Sequence, residues 1–276
     1  MPLAEINGVK LYYEETGEGD PLVLVHGSWT DHATWELVVP ELSKQFRVIS
    51  YDRRGHSRSS APAGQGRVED DVADLAALIE HLDAVPAHVA GNSFGASISI
   101  RLAASRPTML RSLSAHEPPL FGLLQGNPAF APVLGEMRRR AEEVIELLKR
   151  GENSRAAELF VEKIALGPGQ WERLPGQRRQ VMVDNAPTYL DETQDPQALV
   201  LDLARLSRYR GAVQLTNGDQ SQPMFQNVIA VLAEALPQAA RFTFQGSGHI
   251  PQMTDAQGYV KRLLSFLSLA PIESTS

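Results

Sequence analysis

The sequence predicts an α/β fold in which a mostly parallel sheet carries helices on both faces. Short continuous apolar runs, such as Leu22–Val25 and Phe46–Tyr51, have the look of strands buried on both faces. They alternate with segments whose apolar residues recur at helical spacing, as Val68, Val72, Leu75, Leu78, Ile79 and Leu82 do. A third observation divides the chain: the alternation stops near Leu120 and resumes after Tyr209.

The elements follow in order. Leu3–Ile6 and Val9–Tyr13 flank Asn7-Gly8 and read as a hairpin. After the strands at Leu22–Val25 and Phe46–Tyr51, a helix starts at Val68, with Glu69, Asp70 and Asp71 in its first turn, where the helix dipole favours negative charge. Ala87–Ala90 is a strand, Phe94–Ser105 a helix and Leu110–Ala115 a strand. Beyond Leu120 the spacing predicts helices around Ala141–Leu148, Ala156–Ala165, Arg178–Asn185 and Gln197–Leu206, punctuated by Gly and Pro. Alternation returns with strand Ala212–Thr216, helix Phe225–Leu236, strand Arg241–Phe244 and helix Asp255–Leu267. A helical insertion between two strands of one sheet is expected to lie over it as a cap, close a pocket and exclude water. Residues 1–119 and 210–276 are then the core, and 120–209 the cap.

Composition narrows the function classes. The 276 residues are 43% hydrophobic and 21% charged, enough apolar material for a sizeable core. Against 33 acidic residues stand 26 basic ones, and the resulting charge of −7 argues against nucleic acid as a partner. The absence of cysteine excludes disulfides, thiolate metal sites and a cysteine nucleophile. The segment MPLAEINGVKLYYEE lacks the apolar core of a signal peptide, and no run approaches the ~18 apolar residues of a membrane helix. A soluble, cytoplasmic protein with no membrane partner is expected.

The sharpest chemical signal is Gly91-Asn92-Ser93-Phe94-Gly95. G-x-S-x-G alone is common, and an ordinary Gly-Ser turn would satisfy it. Its weight here comes from the strand before it and the apolar helix after it. A sharp strand-to-helix turn would present Ser93 at the sheet edge, above a helix N-terminus that favours a developing oxyanion. Serine needs a base to take its proton. His249, in Gly246-Ser247-Gly248-His249-Ile250-Pro251, follows the last strand and returns to the same carboxyl edge of the sheet. His26-Gly27-Ser28-Trp29 follows the first central strand; a backbone N–H there, from Ser28 ahead of Trp29, would pair with that of Phe94 as an oxyanion hole. His26 itself reads as a structural residue that orients this loop.

At this point the chain resembles the α/β-hydrolase fold family. The motifs "VLVHGSW", "VISYDRRGHSRS", "VAGNSFGA", a helical insertion, "GSGH" and a final helix stand in the family's order over nearly the whole chain. The resemblance implies an eight-stranded, mostly parallel sheet and a catalytic serine with a His–carboxylate pair. It also implies that Asp52 and Arg53 are structural.

One position departs from the family pattern. Members usually carry the acid in a G-x-x-D turn after the strand that follows the cap. Here that turn is Gly218-Asp219-Gln220-Ser221, so the matching position holds serine. Two candidates remain. Asp219 lies two residues early and also reads as an ordinary turn aspartate. Glu117 ends the strand after the nucleophile's, and Pro118-Pro119 is expected to hold it in extended geometry. A Glu in that place resembles a minority of the family, including hydrolases of the zearalenone-lactone type. Glu117 is the first choice and Asp219 the second.

The expected reaction is acyl transfer to water by Ser93, His249 and Glu117 on a small, largely apolar ester or lactone, with no metal or cofactor. Trp29, Phe121, Trp171, Met182 and Tyr189 are candidates to line the pocket, although such residues at helical spacing more often pack. A cofactor-free C–C bond hydrolase or a perhydrolase would use the same serine. A ligand receptor that keeps the fold is the non-enzyme alternative. The oligomeric state is left open between monomer and homodimer.

Overall fold

The computed structural model describes residues 2–61 and 64–270, so the extreme ends of the expected core, 1 and 271–276, lie outside the described residues. Eight strands form one sheet: β1 (Leu3–Ile6), β2 (Val9–Thr16), β3 (Asp20–Val25), β4 (Phe46–Tyr51), β5 (Ala87–Asn92), β6 (Leu110–His116), β7 (Ala212–Gly218) and β8 (Ala240–Phe244). Their order is β1-β2-β4-β3-β5-β6-β7-β8. β2 pairs antiparallel with β1 and with β4, and every pairing from β4 to β8 is parallel.

The apolar runs are two-faced, as buried parallel strands must be. Val23 and Val25 join one core, with Leu75, Ile98 and Val228, while Leu22 and Leu24 face the other, with Trp35, Leu263 and Phe266. Each such fully buried side chain contributes about 1.5–3 kcal/mol of transfer free energy. The covering helices are α1 (Val68–His81) and α2 (Phe94–Ser105), followed after the insertion by α7 (Pro223–Ala235) and α8 (Ala256–Leu267).

Between β6 and β7 lie α3 (Ala131–Lys149), α4 (Asn153–Phe160), α5 (Gly176–Asn185) and α6 (Thr188–Gln194). They share a third apolar cluster, whose members Val144, Ala157, Val161 and Met182 gather around Trp29 of the core. The sequence predicts a helix over Gln197–Leu206, but only Leu203–Leu206 is helical. Arg101 explains the difference. Its guanidinium donates to the carbonyls of Gln197, Ala198 and Val200 at 2.7, 3.0 and 2.5 Å, acceptors that a helix would need for itself. The basic run at 138–140 is a solvated face, with Arg139 paired to Glu136 and Glu143.

Candidate active site

Ser93 stands between β5 and α2 with φ 55° and ψ −124°, a strained backbone for a residue with a side chain. Strain of that kind costs about 1–3 kcal/mol and persists only where the surroundings over-determine it. Here the Ser93 N–H donates to the His116 carbonyl at 2.9 Å, and its own carbonyl accepts from Ala96 and Ser97. Close packing enforces the turn as well. A Cβ on Gly95 would stand 2.2 Å from the Val25 carbonyl oxygen, so the start of α2 fits against the end of β3 only as glycine. A Cβ on Gly27 would lie 3.0 Å from the Ser93 Cβ, which sets the His26-Gly27-Ser28 loop directly beside the serine.

Glu117 follows β6 and is fully buried. Its Oε2 accepts from His249 Nδ1 at 2.6 Å, and its Oε1 accepts from the Gly218 N–H at 2.7 Å. Burial pushes the carboxyl up, but His116, the His249 hydrogen bond and charge, and the nearby Ser221 hydroxyl outweigh it and hold the group down at about 2. The geometry differs from the expected extended residue before proline: Glu117 has φ 47°. The bond from its N–H to the Thr216 carbonyl at 3.1 Å, together with the two carboxylate bonds, holds this left-handed backbone. Asp219 is exposed, and its carboxylate accepts from the neighbouring Gln220 side chain at 3.2 Å.

Two residues hold the His249 loop that sequence reasoning passed over. Asn92, the x of the Gly91-Asn92-Ser93 turn, donates to the His249 carbonyl at 2.9 Å, and the Phe225 ring stacks on the imidazole at 4.7 Å. The turn that carries the serine therefore also fixes the loop that carries the histidine. On the other side, His26 Nε2 accepts from the Arg53 N–H at 2.9 Å while Nδ1 meets the Gly27 carbonyl at 2.8 Å. Burial keeps this imidazole neutral, as does His56 beside it, so His26 organises the loop. Phe94 is the first residue of α2, and its amide has no acceptor within the helix.

Ser93 and His249 open on one cleft with a cavity volume of about 70 Å³. Its walls are mostly apolar and come from both parts of the chain: Phe160, Leu166, Val181 and Met182 from the insertion, Ile250 and Met253 from the core. Arg178 also lines it, already occupied by Glu36 at 2.5 Å, the Ala33 carbonyl at 2.6 Å and Asp31 at 3.7 Å. Among the described residues, Asp31, His32 and Asp52 have the spacing of metal ligands. Their atoms are spent on the protein: Asp52 accepts from the His32 ring and from the amides of His32 and Arg58, and Asp31 from Ala33 and Ser57.

Residues 20–256 match the family described as alpha/beta hydrolase fold. The chain belongs to the α/β-hydrolase fold family. An uncharacterised hydrolase, YraK, of Bacillus subtilis strain 168 is 34% identical over 158 residues, 56% of this chain and 55% of that protein. A 2-hydroxy-6-oxo-2,4-heptadienoate hydrolase of Pseudomonas putida is 38% identical over 110 residues, 38% of this chain and 40% of that one. The chain thus spans about half the length, or less, of these curated relatives. The enol-lactonase of Burkholderia xenovorans LB400 has the same fold, with a TM-score of 0.78 over 97% of this chain and 100% of that one, at 24% identity.

Within this α/β-hydrolase fold, the predicted pocket residues divide. Met182 lines the cleft. Trp29, Trp171 and Tyr189 instead belong to the apolar cluster of the insertion, with Trp29 stacked on Phe160 at 4.8 Å and tilted against Tyr189 at 5.1 Å. Phe121 packs on Phe225 at 5.4 Å. These four are corrected from pocket wall to packing, because their large apolar area is consumed in joining the helices to the core. Leu166 and Val181, which do line the cleft, carry no sequence signal that separates them from ordinary helix packing.

Proposed function

We propose that this protein is a serine hydrolase that cleaves a carboxylic ester or lactone of a small, largely apolar molecule. The observation that carries this reading is the buried 2.6 Å bond from His249 Nδ1 to Glu117, opening on the same cleft as the strained Ser93. With Nδ1 engaged, Nε2 is the nitrogen left to accept the Ser93 proton. The Ser93 oxygen attacks the carbonyl carbon while its proton passes to His249 Nε2. The Ser28 and Phe94 amides hold the tetrahedral oxyanion. His249 then gives that proton to the leaving alkoxide, and an acyl-enzyme remains. Water, deprotonated by His249, releases the acid and restores Ser93. Residues 120–209 act as the cap that supplies the apolar wall. Arg178 is pre-paired with carboxylates, which favours a neutral substrate.

The test is turnover of p-nitrophenyl butyrate and of a simple lactone by wild type and by Ser93→Ala. The expected outcome is a loss of about 10⁶ in kcat on substitution, the scale of removing a triad nucleophile. Turnover that survives Ser93→Ala contradicts the reading. C–C bond hydrolysis is the second reading, favoured by the dienoate hydrolase among the relatives. It predicts turnover of a vinylogous diketone acid in preference to both esters.

A further inference from the structure

Glu192 is a second buried carboxylate at the seam between insertion and core, and the reaction above gives it no task. It sits on α6 with its side chain 6% exposed. Its Oε2 accepts from the Ser28 hydroxyl at 2.5 Å, and its Oε1 accepts from an Arg53 guanidinium nitrogen at 3.0 Å. The same guanidinium donates to Asp71 at 3.0 and 3.1 Å and to the Gly27 carbonyl at 3.4 Å. It also lies 4.7 Å from the centre of the Phe94 ring. Arg53 therefore sits between the two segments whose amides hold the oxyanion, and Glu192 ties it to one of them.

Stability alone gives little reason for a charge here. Arg53 is already matched by Asp71, so Glu192 adds an excess buried negative charge, which is costly unless several groups satisfy it. Burial pushes its carboxyl up, against the pull of Arg53 and Ser28. What the carboxylate does accomplish is geometric. It fixes the Ser28 side chain, and with it the peptide that enters Ser28, just before Trp29 turns the chain at φ 67°.

We propose that Glu192 is a positioning residue that aims the Ser28 amide at the oxyanion, so that the oxyanion hole is complete only with the insertion docked. The inference rests on the serine-hydrolase reading above. The oxyanion exists in the transition state and not in the bound ester, so a misaimed donor lowers kcat and leaves KM nearly unchanged.

The experiment compares Glu192→Ala, Glu192→Gln and Asn185→Ala with p-nitrophenyl butyrate. Asn185 is a matched tie that does not touch Ser28: it accepts from the Ser57 amide at 2.7 Å and donates to the Thr30 carbonyl at 3.0 Å, and so also pins insertion to core. Glu192→Ala is expected to lower kcat about 30- to 100-fold with KM within about twofold, somewhat less than removal of an oxyanion donor. Glu192→Gln, which keeps an acceptor for Ser28, should recover most of that loss, and Asn185→Ala should keep kcat within about threefold. Equal kcat losses in Glu192→Ala and Asn185→Ala, or a raised KM with unchanged kcat, would reduce Glu192 to a docking contact. Should Glu192→Ala fail to fold, Ser28→Ala keeps the amide and removes the tether; at least a tenfold kcat loss is expected, and wild-type kcat overturns the inference. Loss of activity in Ser93→Ala with wild-type kcat in the Glu192 and Ser28 variants overturns this inference alone. Activity that survives Ser93→Ala overturns the underlying reading with it.

Discussion

Glu117 follows the end of β6 and Asp219 the end of β7, neighbouring parallel strands, yet the first is fully buried and the second exposed. The register explains why the more distant carboxylate reaches the histidine. His116 sits opposite Thr216, so the residue after β6 leaves the sheet beside the last residues of β7. From there the Glu117 side chain spans to the Gly218 amide, at the first residue of the Gly218-Asp219-Gln220-Ser221 turn. Ser221, in the same turn, helps to hold the Glu117 carboxyl low. Asp219 points to solvent from the same turn. Position across the sheet, more than position along the chain, thus decides which carboxylate meets His249.

The largest break in this comparison is Glu117→Ala. It should lower kcat for ester turnover by about 10⁴, the scale of losing the acid of such a triad, with KM little changed. A loss under tenfold would remove Glu117 from the reaction.

Acid stability sharpens the contrast between the buried and exposed ends of the strands. Burial holds His116 and His88 down at about 4 and His56 at about 3, with Arg53 adding to the last. The unfolded chain binds protons at these rings near pH 6.5 and the folded chain does not, so their stabilisation is present above pH 6.5 and lost as pH falls through the folded values. Each is worth about 2 kcal/mol between pH 7 and 5, a large share of the ~5–15 kcal/mol of a folded domain. His32 opposes them: burial pulls it down, but Asp52 raises it overall. Glu117, held at about 2, adds its own loss from about pH 4.5 downward. The urea midpoint should fall clearly between pH 7 and pH 5; an unchanged midpoint contradicts the neutral buried histidines. The smallest effect belongs to Asp219→Ala, whose kcat should stay within about tenfold of wild type, as for a turn residue outside the reaction.

Much of the sheet was legible because buried strands leave continuous apolar runs, and the serine turn because its glycines admit no side chain. The end of β6 marked Glu117 as a candidate, but its left-handed backbone was not legible, since three tertiary hydrogen bonds override the local preference before proline. The cleft wall was least legible. Helical spacing marks an apolar face without saying whether it meets a cavity or a neighbour, so Trp171 and Tyr189 packed where Leu166 and Val181 lined. Asn92 and Glu192 gave no pattern at all, because each acts through partners more than a hundred residues away.

The central claim is that Glu117, and not Asp219, makes His249 a competent base for Ser93. The rate at which a fluorophosphonate labels Ser93 tests it without any choice of substrate. Wild type and Asp219→Asn should label at similar rates, Glu117→Gln at least about 100-fold more slowly, and Ser93→Ala not at all. Fast labelling of Glu117→Gln with slow labelling of Asp219→Asn would contradict the account.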